Sequence, residues 1–196
     1  MYPFQRLLIP TDFSVCAEGA YRLGVQLAQG YGAEVHLLHV APPRHSSRRR
    51  QLQRWLDRTV VSGREQGIGH QEWRNLKIRR MLTQHADPVQ AILQYTETHA
   101  MDCICIGAHG DNLASRFLSR GGSMDLLGQT AGQVVRHAPV PVLTVVQRLA
   151  RAPERIQTIL VPVDFSPLSL LALEQARDLA ALYDANLTVL HVTAPP

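Results

Sequence analysis

One phrase is written twice in this chain. Ile9-Pro10-Thr11-Asp12-Phe13-Ser14 returns as Val161-Pro162-Val163-Asp164-Phe165-Ser166, and Leu38-His39-Val40 returns at the same spacing as Leu190-His191-Val192. Two landmarks repeated in one register mark a duplicated unit, and a duplication constrains the fold more than any local propensity does. The first copy runs on through a full set of further segments. The second reaches Pro196 soon after its second expected strand. A complete domain is therefore expected over residues 1–147, a linker over 148–157 with Pro153 in it, and a partial strand-helix-strand repeat over 158–196.

The periodicity between these landmarks alternates strand and helix. Residues 6–10 read as a short buried strand, Ser14 as an N-cap, and the small and apolar residues from Ala17 to Ala28 as one helical face. Gly30 and Gly32 are expected to end that helix, and 34–40 to form a second strand. A long arginine-rich helix is expected from Ser46 to Gln66, with Leu52, Trp55, Leu56 and Val60 turned to the core. A third strand follows at 76–82. Asp87-Pro88 opens a helix, with aspartate as cap and proline at its first position; Val89, Ile92, Leu93 and Thr96 should face inward. Residues 102–107 form a continuously apolar fourth strand, which fits a sheet covered on both faces. A helix at 129–137 and a strand at 140–146 complete the first copy. In the second, the pattern restarts with a strand at Thr158, a Ser166 cap, a helix at 168–183 and a strand at 186–192. Such alternation implies an α/β fold with an open parallel sheet and right-handed crossovers.

Composition excludes some functions. No apolar run is long enough to span a bilayer, since even 168–182 is interrupted by Glu174, Arg177 and Asp178. No basic leader with a cleavage site precedes the first strand, so a soluble cytoplasmic protein is expected. Net charge is +4, almost all of the positive charge being arginine, with Lys77 the sole lysine. The cluster from Arg44 to Arg58 is read as a solvated helix face, with nucleic acid not expected as a partner, because aromatic residues scarcely interleave it. Cys16, Cys103 and Cys105 have no zinc spacing. The latter two share one face of a strand and should pack as small apolar groups.

Chemistry should sit beyond the carboxyl ends of the strands, where open α/β sheets bind ligands. Asp12 follows the first strand, and Gly107-Ala108-His109-Gly110 follows the fourth. If those strands are neighbours, both groups face one crevice. A carboxylate there can accept hydrogen bonds from a ribose diol. Glycines let backbone N–H groups approach phosphate oxygens, and a helix N-terminus adds positive partial charge. Equally, an aspartate before a helix can serve as a plain cap, and GxxG alone carries little information.

Five segments together resemble the universal stress protein family: Leu8 to Ser14, Leu38-His39-Val40, Asp87 to Ile92, Gly107 to Gly110, and Arg136-His137-Ala138-Pro139-Val140-Pro141-Val142. The resemblance covers essentially the whole chain. It implies a Rossmann-like five-stranded sheet of order 3-2-1-4-5, dimerisation through strand five, and a role in stress response or signalling. The partial repeat is too small to bury its own apolar face and is expected to dock on the first domain or to pair with another chain. In one branch it implies binding of ATP, or of AMP or ADP, with Mg²⁺ as an accompanying ion and without a catalytic base. Carried over, Asp12 would hold ribose and the backbone near Val40 would face adenine. Gly107, His109 and Gly110 would meet phosphates, and Pro10, Thr11, Gly128, Gln129 and Thr130 would complete the site. That branch has nine residues between its second and third glycines and Ser or Thr after the third. Here seventeen residues separate Gly110 from Gly128, and Gln129 follows it, with Thr130 next. Gly122-Ser123 is an alternative phasing. The excess within 111–127 reads as a surface insertion, or as a lid carrying Arg116 or Arg120. His39 and His191 are expected to pack at strand ends. A scaffold without nucleotide is the second reading, a slow hydrolase using His109 the third. At most trace ATP hydrolysis is expected.

Overall fold

The computed structural model describes residues 4–43, 48–66 (backbone alone at 61–66), 76–110, 127–146 and 156–193. Two units are separated by their internal contacts, one spanning Pro3–Ala152 and the other comprising Pro153–Pro196.

In the first unit, β1 (Arg6–Pro10) buries Leu7, Leu8 and Ile9 completely, on alternating faces, so both sides of the sheet must be covered. It pairs in parallel with β2 (Glu34–Ala41) on one side and β4 (Cys103–Gly107) on the other. β3 (Ile78–Gln84) adds to β2, and β5 (Val142–Val145) adds to β4. The order is β3-β2-β1-β4-β5, the expected Rossmann-like arrangement. Winding direction reverses between β1 and β4, which opens a crevice at their carboxyl ends.

Helix α1 (Val15–Tyr31) lies over β1 and β4. Ser14 caps it, its Oγ accepting from the Ala17 N–H at 3.2 Å. Gly30 lies inside the helix. Gly32 ends it in the left-handed region at φ 67°, with the Ala33 N–H donating to the Ala28 carbonyl at 2.8 Å. Close packing here depends on two glycines. A Cβ on Gly24 would stand 2.5 Å from Ile9 Cδ1, and one on Gly107 would stand 2.7 Å from both Ala17 N and Cys16 C. The first obstacle is a flexible side chain; the second is backbone.

The other face of the sheet is covered by α3 (Pro88–Thr98) and α4 (Gln129–His137). Leu8, Leu38, Ile104 and Ile106 from the strands meet Ile92 and Tyr95 from α3 and Ala131 and Val134 from α4. Burial of each such aliphatic side chain contributes about 1.5–3 kcal/mol relative to exposure. The inward face of α3 differs from expectation: Ala91, Ile92, Tyr95 and Thr96 are buried, while Val89 and Leu93 are only half-buried. Tyr95 sets this roll by placing its hydroxyl 2.8 Å from His36 Nδ1 within the sheet face.

Helix α2 (Arg49–Gln66) begins later than expected and buries Leu52, Leu56 and Val60, but Trp55 remains 40% exposed. It stands on the flank of the apolar stripe and touches Phe13 edge-on, with ring centroids 5.4 Å apart. The third strand is displaced to 78–84, because its pairing register starts at Val35 with Ile78. Cys103 and Cys105 are fully buried, as expected of small apolar groups. Contact with Cys103 and burial push the Cys105 thiol well above its ordinary pKa, which keeps it protonated and inert.

In the second unit, β6 (Thr158–Pro162) and β7 (Asn186–Leu190) pair in parallel and α5 (Pro167–Tyr183) packs on one face. Val161, Val163 and Ala176 form its core. Ser166 caps the helix, and its side chain and backbone N–H hold the Asp164 carboxyl down to about 2. On the opposite face Leu160 is 58% and Leu190 44% exposed, whereas their counterparts Leu8 and Leu38 are fully buried beneath α3 and α4. A two-stranded layer has no means of covering that face by itself.

Two predictions follow from this packing. Gly107→Ala should destabilise the protein by about 1–3 kcal/mol in urea denaturation, since backbone must move to admit the methyl group. Gly132→Ala, whose nearest neighbour would be 3.8 Å away within a helix, should instead stabilise by up to about 1 kcal/mol. The second concerns His36, whose Nε2 is buried without a hydrogen bond and lies 3.6 Å from Glu34 Oε1. Burial lowers its pKa; Glu34 opposes this, while Arg79 and His99 reinforce it. Glu34 would itself be raised by burial, but its bond and charge contact with Arg79 hold it below the usual value. The His36 imidazole thus titrates lower when folded than its unfolded value of about 6.5. The unfolded chain takes up that proton first, so stability should fall as pH drops below that value. Denaturation midpoints measured from neutral to mildly acid pH should slope less steeply in His36→Phe; an unchanged slope would contradict the assignment.

Candidate functional site

The crevice is built from the turn after β1. There the Thr11 N–H donates to the Leu38 carbonyl at 2.8 Å, fixing the strand end to β2. His39 Nδ1 is 2.7 Å from the Thr11 carbonyl, and since a carbonyl only accepts, Nδ1 carries the proton. Thr11 Oγ1 accepts from the Phe13 N–H at 3.0 Å, and Asp12 Oδ1 accepts from the Ser14 N–H at 3.0 Å. Together these bonds hold Phe13 at φ 67°, a conformation that non-glycine residues rarely adopt. Its ring then tilts over His39 at 4.6 Å. The same turn recurs after β6, with Phe165 at φ 64°, Asp164 Oδ1 2.9 Å from the Ser166 N–H and His191 Nδ1 2.7 Å from the Val163 carbonyl. His39 and His191 are thus strand-end struts, as their recurrence implied.

Across the crevice stands the loop after β4. Gly110 lies so close to the Asp12 carboxylate that a Cβ on it would stand 2.5 Å from Oδ2. Ser14 Oγ reaches the His109 carbonyl at 3.4 Å. The Ala108 N–H donates to the Val145 carbonyl at 2.8 Å, and the Ala108 carbonyl accepts from the Gly128 N–H at 2.7 Å. That last bond brings the start of α4 to the same place. Gly128 is its N-cap and supplies no side-chain cap, so the first-turn N–H groups keep their anion-binding capacity.

These elements enclose a cavity of about 380 Å³ at the carboxyl ends of β1, β2 and β4. Its size falls in the range of small-ligand sites. Pro10, Thr11, Asp12, Val40, Gly107, His109, Gly110, Gly128, Gln129 and Thr130 all line it, so the residues singled out in the sequence converge on one space. Leu38, Pro88, Ile92, Ile106 and Ala131 form an apolar wall that sequence reasoning did not assign to the site. The strict alternation of Leu38 with Val40 on β2 could have indicated the first of them. Residues 111–126, which hold Arg116, Arg120 and Gly122-Ser123, lie outside the described residues.

Chemically the cavity combines one carboxylate, a row of backbone N–H groups and an apolar wall. Among the described residues Asp12 is the one acidic side chain lining it, and no cluster of three or more His, Cys, Asp or Glu side chains is placed to hold a metal ion. No described helix is long and apolar enough to cross a membrane.

The fold has close counterparts. A universal stress protein from Pseudomonas aeruginosa UCBPP-PA14 superposes with TM-score 0.62 at 21% identity, over 98% of this chain and 63% of that longer one. A universal stress protein solved in complex with cAMP gives 0.55 at 18% identity, over 74% of this chain and 99% of that one. The universal stress protein of Archaeoglobus fulgidus in complex with dAMP gives 0.53 at 19% identity, over the same shares. At these identities the likeness is one of fold. No curated protein matches the chain significantly. The sequence profile of the universal stress protein family, however, matches residues 3–146 and again 155–196, covering both copies of the repeated phrase. The chain belongs to the universal stress protein family.

Proposed function

We propose that the crevice binds an adenine nucleotide, and that the protein is a stress-response or signalling module whose conformation and association respond to that nucleotide. The observation that carries this reading is the convergence of Asp12, the Gly107–Gly110 loop and the α4 N-terminus on one cavity with an apolar wall. Two neighbours of this fold were solved with cAMP and with dAMP, which supports the same ligand class. In this reading the Asp12 carboxylate accepts from ribose hydroxyls, and the β2 end at Val40 faces the base. Backbone N–H groups around Gly107, His109, Gly110, Gly128, Gln129 and Thr130 meet phosphate oxygens. ATP is the expected ligand, with ADP or AMP as alternatives. Mg²⁺ fits as an ion carried by the phosphates, since a single lining carboxylate does not make a resident metal site.

The function is binding and not turnover. What the lining offers is one carboxylate and a row of backbone N–H donors, which suits holding a nucleotide, so at most trace hydrolysis is proposed. Association through β5 is proposed because this edge strand, Val142–Val145, carries no charged residue to discourage pairing. The partial repeat is the other proposed contact, and the cytoplasm the proposed compartment. Gln129, which stands where the nucleotide-binding branch would have Ser or Thr, favours the second reading of a scaffold without nucleotide.

Calorimetric titration separates the two readings. The chain should bind ATP with Mg²⁺, or AMP, and Asp12→Ala should weaken binding at least tenfold, about 1.4 kcal/mol. Asp164→Ala, the matched aspartate of the second copy, should leave affinity unchanged. No heat at millimolar nucleotide would decide for the scaffold; equal affinity in Asp12→Ala would contradict the placement of ribose at Asp12.

A further inference from the structure

The net charge of this protein resides on α2 and the arginine that precedes it. Over the whole chain, 20 basic residues face 16 acidic ones, a net +4. Residues 48–66 hold Arg48, Arg49, Arg50, Arg54, Arg58 and Arg64 against only Asp57 and Glu65, so the remainder of the chain is balanced. On the sequence alone such a run reads as a solvated face. Three structural facts change that reading.

First, α2 is held at a fixed roll by Leu52, Leu56 and Val60, all buried. Arg50, Arg54 and Arg58 recur every fourth residue on the opposite side, and all are exposed. Neighbours at this spacing stand about 5–6 Å apart, close to the phosphate repeat of a single nucleic-acid strand. Second, little carboxylate opposes Arg50 and Arg54. Asp57 is engaged by Arg80 at 2.8 Å, which adds a cation beside the row. Among the described residues, Arg48, Arg49, Arg50 and Arg54 have no carboxylate partner. Third, Trp55 emerges between the arginine row and the apolar stripe, 40% exposed and steadied edge-on by Phe13.

We infer that the outer face of α2 binds single-stranded nucleic acid, with the arginine row along the phosphodiester backbone and Trp55 offering a stacking surface to a base. Arginine suits phosphate because its planar fork donates two parallel hydrogen bonds. An aromatic platform beside a cationic track is the general arrangement for sequence-tolerant single-strand binding. A membrane surface fits less well. An interfacial helix must bury its apolar face among lipids, and that of α2 is already in the protein core. RNA and DNA share the chemistry recognised, and the test separates them.

Fluorescence anisotropy with labelled oligo(U) and oligo(dT) of about twenty nucleotides provides the measurement, run on the full chain over a salt series. Binding should weaken steeply with salt, by a log–log slope of about 0.7 per phosphate contact. R50E/R54E should lose at least tenfold in affinity and flatten that slope by about 1.4. W55A should lose about fivefold or more while keeping the slope, because stacking releases no counterions. R177E, a reversal of an exposed arginine on α5, is set against the single reversal R54E as the control for net charge and should weaken binding far less. Preference for one oligonucleotide upholds the inference and identifies the source; equal binding of both upholds it for single strands of either kind. No binding of either at low salt would overturn it. So would affinity unchanged in R50E/R54E, an equal loss in R177E and R54E, or arginine-dependent binding to phosphatidylserine vesicles alone. Should R50E/R54E fail to fold, R50Q/R54Q carries the same comparison.

Discussion

The site depends on the approach of two backbones at Gly107. Here the last residue of β4 lies against the first turn of α1, at a distance that a methyl group on Gly107 would violate by meeting Ala17 N and Cys16 C at 2.7 Å. This contact holds the amino end of α1, and with it the Asp12 turn, against the loop that follows β4. Gly110 stands one step further out, where a Cβ would meet the Asp12 carboxylate oxygen at 2.5 Å and push that side chain aside. Parallel order makes β1 and β4 neighbours. The two glycines turn that adjacency into a crevice where one carboxylate and several N–H donors share a volume.

The second copy clarifies what the first copy's turn does by itself. Asp164, Phe165, Ser166 and His191 rebuild the hydrogen bonds of Asp12, Phe13, Ser14 and His39 nearly bond for bond. The turn is therefore a local structure, specified by its own residues and stable without a glycine loop opposite it. Within the described residues 156–193 no counterpart of β4, α3 or α4 is present, and Leu160 and Leu190 are exposed. A turn of this kind is necessary for the crevice and insufficient for it.

Much of this was legible in the sequence because the strongest signals were local. Caps at Ser14, Asp87 and Ser166 announce themselves by residue type, and the continuous apolar run at 103–106 marks a strand buried on both faces. Asp12 and the Gly107–Gly110 loop followed from their place at strand ends, while strand order and the other lining residues came through the family resemblance. Less legible were features set by long-range packing. The roll of α3 depends on Tyr95 reaching His36, fifty-nine residues away along the chain. Trp55 reads as a core residue by period, yet it stands one position off the buried stripe and meets Phe13 instead. The apolar wall from Leu38, Pro88, Ile92, Ile106 and Ala131 draws on four elements, β2, α3, β4 and α4, so no single window of sequence reveals it. The register of β3 was shifted for a similar reason: an edge strand with Arg79 and Arg80 inside it has no clean alternation to fix its ends.

The central claim is that one crevice, and not its repeat, receives an adenine nucleotide through Asp12 and the glycine loop. Amide chemical shifts during titration with AMP test it most directly, because they report each backbone N–H separately. The account predicts saturable shifts at Gly107, His109, Gly110, Gln129 and Thr130, with none at Asp164, Phe165 or Ser166. Shifts absent from the first group, or equal in both, would contradict it.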